Sequence, residues 1–154
     1  MADQASGRIV ERNRVFVANF KSLEEIRNFV GQAARDCGLS NASIYAVEMA
    51  VDEACTNIIE HAYQGECTEV IECTCRISED GLHVQLKDCG TPFDPSNVPE
   101  PDVEASLEDR SPGGLGFFFM HKLMDEIFFE FIPGDEQHPG CNELTMIKYK
   151  GKER

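Results

Sequence analysis

From residue 41 onward, apolar residues return every three or four positions. Ile44, Val47, Val51, Ala54 and Ile58 form one stripe, the pattern of a helix packed on a core through one side. The spacing predicts a helix from Asn41 to Tyr63 or Gly65. Upstream, Leu23, Ile26, Phe29, Val30 and Ala33 repeat with the same period. Ser22 is the expected N-cap there, Glu25 completes a capping box and Gly38 is the stop. Before that helix, residues 8–20 are rich in β-branched and aromatic side chains around a polar patch, which predicts an interrupted strand at a sheet edge. After residue 67 the period changes from helical to two. Ile71, Cys73, Cys75 and Ile77 alternate with Val70, Glu72, Thr74 and Arg76, giving a half-buried strand over Thr68–Ile77. Asp80-Gly81 is read as its hairpin turn. Leu82, Val84 and Leu86 then alternate with polar residues and run straight into Asp88.

Periodicity vanishes between Thr91 and Gly114. Pro92, Pro95, Pro99, Pro101 and Pro112 deny that segment a long helix, and Asp102, Glu104, Glu108 and Asp109 keep it wet. A structureless stretch of this length within a compact domain usually acts as a lid or is disordered. Leu115–Met124 is apolar with helical period, Glu126–Ile132 reads as a strand, Pro133–Gly140 as a turn and Asn142–Tyr149 as a last strand. The order β-α-α-β-β-loop-α-β-β predicts an α/β two-layer sandwich, a sheet covered on one face by helices.

Composition narrows the function classes. The 154 residues suit one domain. With a net charge of −14 and a pI of about 4.6, and no Lys/Arg cluster, the chain lacks the basic footprint of a nucleic-acid binder. Any phosphate must be received by local N–H groups, a metal ion or a few cations. No apolar run approaches the roughly 20 residues that span a bilayer, and the first residues lack the apolar core of a signal peptide. Seven cysteines without an export signal are expected as reduced thiols in a cytoplasm. With no Cys-x-x-Cys pair, Cys67, Cys73, Cys75 and Cys89 read as small buried residues in preference to a metal cluster.

The candidate chemistry lies beside the apolar stripe of the long helix, where Ala46, Ala50, Glu53 and Asn57 fall into line. Glu53 and Asn57 are four apart and share a face. A carboxylate and an amide next to small residues can hold a hydrated cation and a base at one mouth; on this helix alone, solvated surface residues are the favoured reading. Downstream, Asp88-Cys-Gly90 ends a strand. A carboxylate there can accept from an adenine amino group, and glycine lets a base approach the backbone; taken alone, Asp-x-Gly is a common turn and carries little weight. Gly113, Gly114 and Gly116 open an apolar helix, where N–H groups and the helix dipole favour an anion. No Gly-Lys-Ser/Thr follows them, so this is not a Walker A loop.

Glu and Asn on a helix, then Asp-x-Gly, then a glycine cluster opening a helix: this order resembles the histidine-kinase-like ATPase superfamily. More narrowly, Asp-Glu-Ala-Cys-Thr-Asn-Ile-Ile-Glu-His-Ala-Tyr and Gly-Gly-Leu-Gly-Phe-Phe-Phe-Met are similar to the anti-sigma factor serine/threonine kinases, over nearly the whole chain. The resemblance implies the Bergerat-type fold with a mixed, mostly antiparallel sheet, and ATP with Mg²⁺. It implies Glu53 as catalytic base and Asn57 as magnesium ligand. Asp88 and Gly90 would seat adenine with help from Thr145, and Gly113, Gly114 and Gly116 would lie on the phosphates, with the lid at about 91–114. It also implies two partners, a sigma factor that is sequestered and a STAS-domain anti-anti-sigma protein that is phosphorylated, and leaves a homodimer open. A nucleotide-dependent partner-switching module without kinase turnover is the alternative.

Overall fold

The computed structural model describes residues 8–93 and 119–151. Five strands form one sheet: β1 (Val10–Val17), β2 (Val70–Ile77), β3 (Gly81–Asp88), β4 (Glu126–Ile132) and β5 (Cys141–Tyr149). Their spatial order is β1-β2-β3-β5-β4. The expected mostly antiparallel sheet is antiparallel in all four of these pairings. β1 lies at one edge, as its composition predicted, but runs without the expected interruption. Its polar residues find partners: Asn13 donates to Glu72 and Thr74 at 2.9 and 2.8 Å, and Glu11 pairs with Arg76 at 3.1 Å.

Helices α1 (Ser22–Cys37) and α2 (Asn41–Asn57) cover one face of the sheet. The predicted α2 stripe is the buried one: Val47, Val51 and Ala54 are at most 2% exposed. It meets Ile26, Val30 and Ala33 of α1 and Ile71, Val84, Leu86 and Met146 of the sheet. Each large aliphatic side chain so buried contributes about 1.5–3 kcal/mol. The helical residues 119–123 add Met120 to the same core. The other face of the sheet carries half-buried polar residues such as Glu72, Thr74, Gln85, Lys87 and Glu143.

Three local expectations are corrected. Ser22 is not the N-cap of α1 but its first residue; Asn19 Oδ1 accepts from both Ser22 N and Ser22 Oγ at 3.0 Å. A tight turn off β1 brings Asn19 there, and no side-chain capping bond involving Glu25 forms. The hairpin between β2 and β3 turns through residues 78–80, while Gly81 already belongs to β3. A Cβ on Gly81 would sit 2.3 Å from Lys148 O, so glycine serves close strand approach there. Finally, α2 stops being α-helical at Asn57 and continues as one π-helical turn, Ile58–Ala62. Gly38 does end α1 as expected, with φ 90° and its N–H on Ala34 O and Arg35 O.

Candidate functional site

Strand β3 alternates, so the row Leu82, Val84, Leu86 facing the helices carries Asp88 as its fourth member. Asp88 is only 4% exposed, where an ionised carboxylate is costly unless hydrogen-bonded. Two donors converge on its Oδ1, Asn142 Nδ2 at 2.9 Å and Gly90 N at 3.0 Å. Burial raises its pKa above the usual carboxylate range, and these two donors pull it part of the way back. Oδ2 accepts no hydrogen bond among the described residues and remains open for an amino-group donor.

Asn142 was missed by sequence reasoning. It is the first inward residue of β5, in the row Asn142, Leu144, Met146, and a polar residue in that otherwise apolar row was the available signal. Its amide is fully committed. Nδ2 donates to Asp88 Oδ1 and to Thr91 O at 3.0 Å, and Oδ1 accepts from Phe93 N at 2.9 Å. Thr145, the expected adenine-seating residue, is not brought to Asp88. It pairs with Gln85 and Phe128 in the opposite row of the sheet, because β5 side chains alternate and Thr145 is an odd number of residues from Asn142.

Glu53 and Asn57 lie one turn apart at the end of α2, both half-buried. Neither side chain makes a hydrogen bond or ion pair among the described residues, whereas neighbouring Asp52 is held by Arg27 at 2.8 Å. Burial, then the charges of Asp52 and Glu60, raise the Glu53 pKa, in the direction a general base requires. Burial, and then the charges of Asp52 and Asp88, push up the pKa of Cys55, a thiol buried in α2.

The π-turn joins α2 to the Asp-x-Gly segment. The last carbonyls of a helix lack helical partners; that of Ala62 accepts from Thr91 N at 2.7 Å. Tyr63 Oη accepts from Cys89 N at 3.0 Å and donates to Val70 O at 2.7 Å. Gly90 passes so close that an added Cβ would lie 2.4 Å from Ala62 O. The residue between Asp88 and Gly90 corrects another expectation: Cys89 is joined to Cys141 in a disulfide, so two of the seven thiols are not free. Cys37, Cys55, Cys73 and Cys75 are buried free thiols, as expected, and Cys67 is half-buried. Among the described residues no group of three or more His, Cys, Asp or Glu can hold a metal by itself. Gly113, Gly114, Gly116 and residues 94–114 of the expected lid lie outside the described residues.

A five-stranded antiparallel sheet under two helices, with a carboxylate buried at the end of a strand, fits the Bergerat-type framework expected from the sequence. A family model described as the histidine kinase-like ATPase domain matches residues 16–148. Among curated relatives, the serine-protein kinase RsbW of Bacillus licheniformis is 30% identical over 133 residues, 84% of this chain and 79% of the relative. RsbW of Bacillus cereus is 32% identical over 133 residues, 84% of this chain and 78% of the relative. RsbW of Listeria monocytogenes is 38% identical over 108 residues, 68% of each chain. A solved structure of the RsbU and RsbW domains of a Mycobacterium tuberculosis protein superposes with a TM-score of 0.59 at 12% identity. That match covers 90% of this chain and 31% of the solved one, and concerns the fold alone. The chain belongs to the histidine kinase-like ATPase family, in the branch of the RsbW serine-protein kinases.

Proposed function

We propose that this chain binds Mg²⁺-ATP and transfers the γ-phosphoryl group to a serine or threonine of a STAS-type anti-anti-sigma protein, and that it sequesters a sigma factor. The observation that carries the reading is the Asp88 carboxylate. It is buried at a strand end with Oδ1 saturated and Oδ2 open, an arrangement suited to one exocyclic amino group. Gly90, which leaves no room for a side chain against Ala62, lets the segment after Asp88 dock on the π-turn and so holds the carboxylate in place.

In this reading Asn57 offers a neutral oxygen of the kind Mg²⁺ accepts while keeping most of its waters beside phosphates. Its carboxamide is uncommitted among the described residues, so the donor fits. Asn57 would hold the ion, which when bound would offset the phosphate charge. Glu53, uncommitted and with a raised pKa, accepts the proton of the attacking hydroxyl as its oxygen bonds to the γ-phosphorus and ADP leaves. Gly113, Gly114 and Gly116, the remaining expected phosphate contacts, lie outside the described residues. The product phosphate adds about −1.5 to −2 charges at the acceptor's contact surface. Against a chain of net charge −14, that repulsion favours release of the phosphorylated partner.

The test is incubation with γ-labelled ATP, Mg²⁺ and candidate STAS proteins. Label on a partner serine or threonine, lost when that residue is replaced, is the expected result. Tight ATP binding with no transfer to any acceptor would instead favour a partner-switching module without turnover.

A further inference from the structure

The two cysteines of the disulfide flank the Asp88–Asn142 pair: Cys89 follows Asp88 on β3, and Cys141 precedes Asn142 on β5. Asp88 and Asn142 are direct cross-strand partners, so the next position along both strands is occupied by the two sulfurs. Alternation puts the disulfide on the side of the sheet opposite the Asp88 carboxylate. The same pair of strand ends is therefore clamped twice, by hydrogen bonds on the helix side and by a covalent bond on the open side. Both cysteines are half-buried, whereas four of the five free thiols are buried. A small thiol reagent thus meets this pair more readily than those four.

The structure assigns to Cys89 and Cys141 a thiol–disulfide site that controls the mobility of the Asp88–Phe93 segment and, through it, nucleotide affinity. The affinity arm rests on the nucleotide reading given above. Oxidation proceeds by exchange with a low-molecular-weight disulfide. One cysteine thiolate attacks it, forming a mixed disulfide and expelling one small thiol. The second cysteine thiolate then displaces the other. Two protein thiols are oxidised, and one small disulfide is reduced to two thiols. A small dithiol runs the sequence backwards.

In the oxidised state β3 and β5 cannot part beside Asp88. In the reduced state the segment is held by Asn142, by Cys89 N on Tyr63 Oη and by Thr91 N on Ala62 O. These contacts open more cheaply without a covalent neighbour. An adenine site that must first be re-formed binds with an affinity reduced by its competent fraction.

The experiment compares the whole protein equilibrated with oxidised glutathione and with dithiothreitol. Differential alkylation with peptide mapping locates the linkage, amide exchange reports on Gly90, Thr91 and Phe93, and calorimetry measures Mg²⁺-ATP. The expected results are a Cys89–Cys141 linkage in the oxidised sample, exchange at least tenfold faster after reduction, and ATP binding at least fivefold weaker. A variant with both Cys89→Ser and Cys141→Ser should respond to neither reagent. Absence of the linkage, equal exchange in the two states, equal or tighter ATP binding after reduction, or a persisting response in the double variant overturns the proposal. If exchange responds but neither state binds ATP, the clamp stands and the nucleotide reading fails.

Discussion

Asn142→Ala removes three hydrogen bonds at once from a residue 9% exposed. The bond to Asp88 is charge-assisted, worth about 1.5–3 kcal/mol, and the two to the Thr91 carbonyl and Phe93 N–H about 0.5–1.5 kcal/mol each. The expected loss of unfolding free energy at neutral pH is thus about 2.5–6 kcal/mol, lowering the thermal midpoint by about 2–4 °C per kcal/mol in a chain of this size. The pH dependence has a definite sign. Asn142 donates to the ionised carboxylate and lowers the Asp88 pKa in the folded state. Its stabilisation is therefore full above the carboxylate range and declines as pH falls through it. Urea unfolding of the wild type, Asn142→Ala, Asp88→Asn and the double variant, at neutral and acid pH, isolates the Asp88–Asn142 coupling. A loss below about 1 kcal/mol for Asn142→Ala at neutral pH, or one that grows on acidification, would refute this account of the pair.

Three further outcomes are expected. Asp88→Asn should abolish nucleotide binding in calorimetry yet raise the melting temperature at pH 7. The Asp88 pKa is raised on folding, so its ionised form opposes folding, and the gain should fade as pH falls below the unfolded value near about 3.9. Glu53→Gln should keep ATP affinity while phosphate transfer to a true acceptor falls by about 10²–10⁴-fold; near-normal transfer in a single-turnover assay would place the base elsewhere. Gly90→Ala forces a methyl against the Ala62 carbonyl and should cost about 1–3 kcal/mol in urea unfolding, as overpacking does; an unchanged midpoint would mean the segment does not dock on the π-turn.

The layers of the fold were legible because period did the work. The Ile44–Ile58 stripe and the alternation of Ile71–Ile77 and Leu82–Leu86 each specify an element and its buried side. Asp88 was legible as a carboxylate continuing an apolar alternation. What escaped depends on register. From sequence, Thr145 and Asn142 lie three apart on one strand; alternation with Leu144 and Met146 marks Asn142 as the inward one, but only its pairing with Asp88 gives that position a role. The Cys89–Cys141 disulfide was hidden for the same reason, since its cysteines are 52 residues apart and meet only through that pairing. Ser22 is the first helical residue and not the cap because the exit of the chain from β1 puts Lys21 at the cap position and turns Ser22 N and Oγ onto Asn19 Oδ1.

The strand order β1-β2-β3-β5-β4 has a bearing on how the protein emerges from the ribosome. β5 is last of the described strands in chain order, yet it lies between β3 and β4. Until it arrives, β3 has an unpaired edge, β4 has no neighbour to join, and Asp88 lacks Asn142. Neither the sheet nor the carboxylate site can be completed by a nascent chain that ends before residue 142. Pairing over such sequence separations is slow, and an open edge strand is a template for association with other chains. The site therefore matures only when synthesis of the sheet is over, and nascent chains carry β3 as their vulnerable edge.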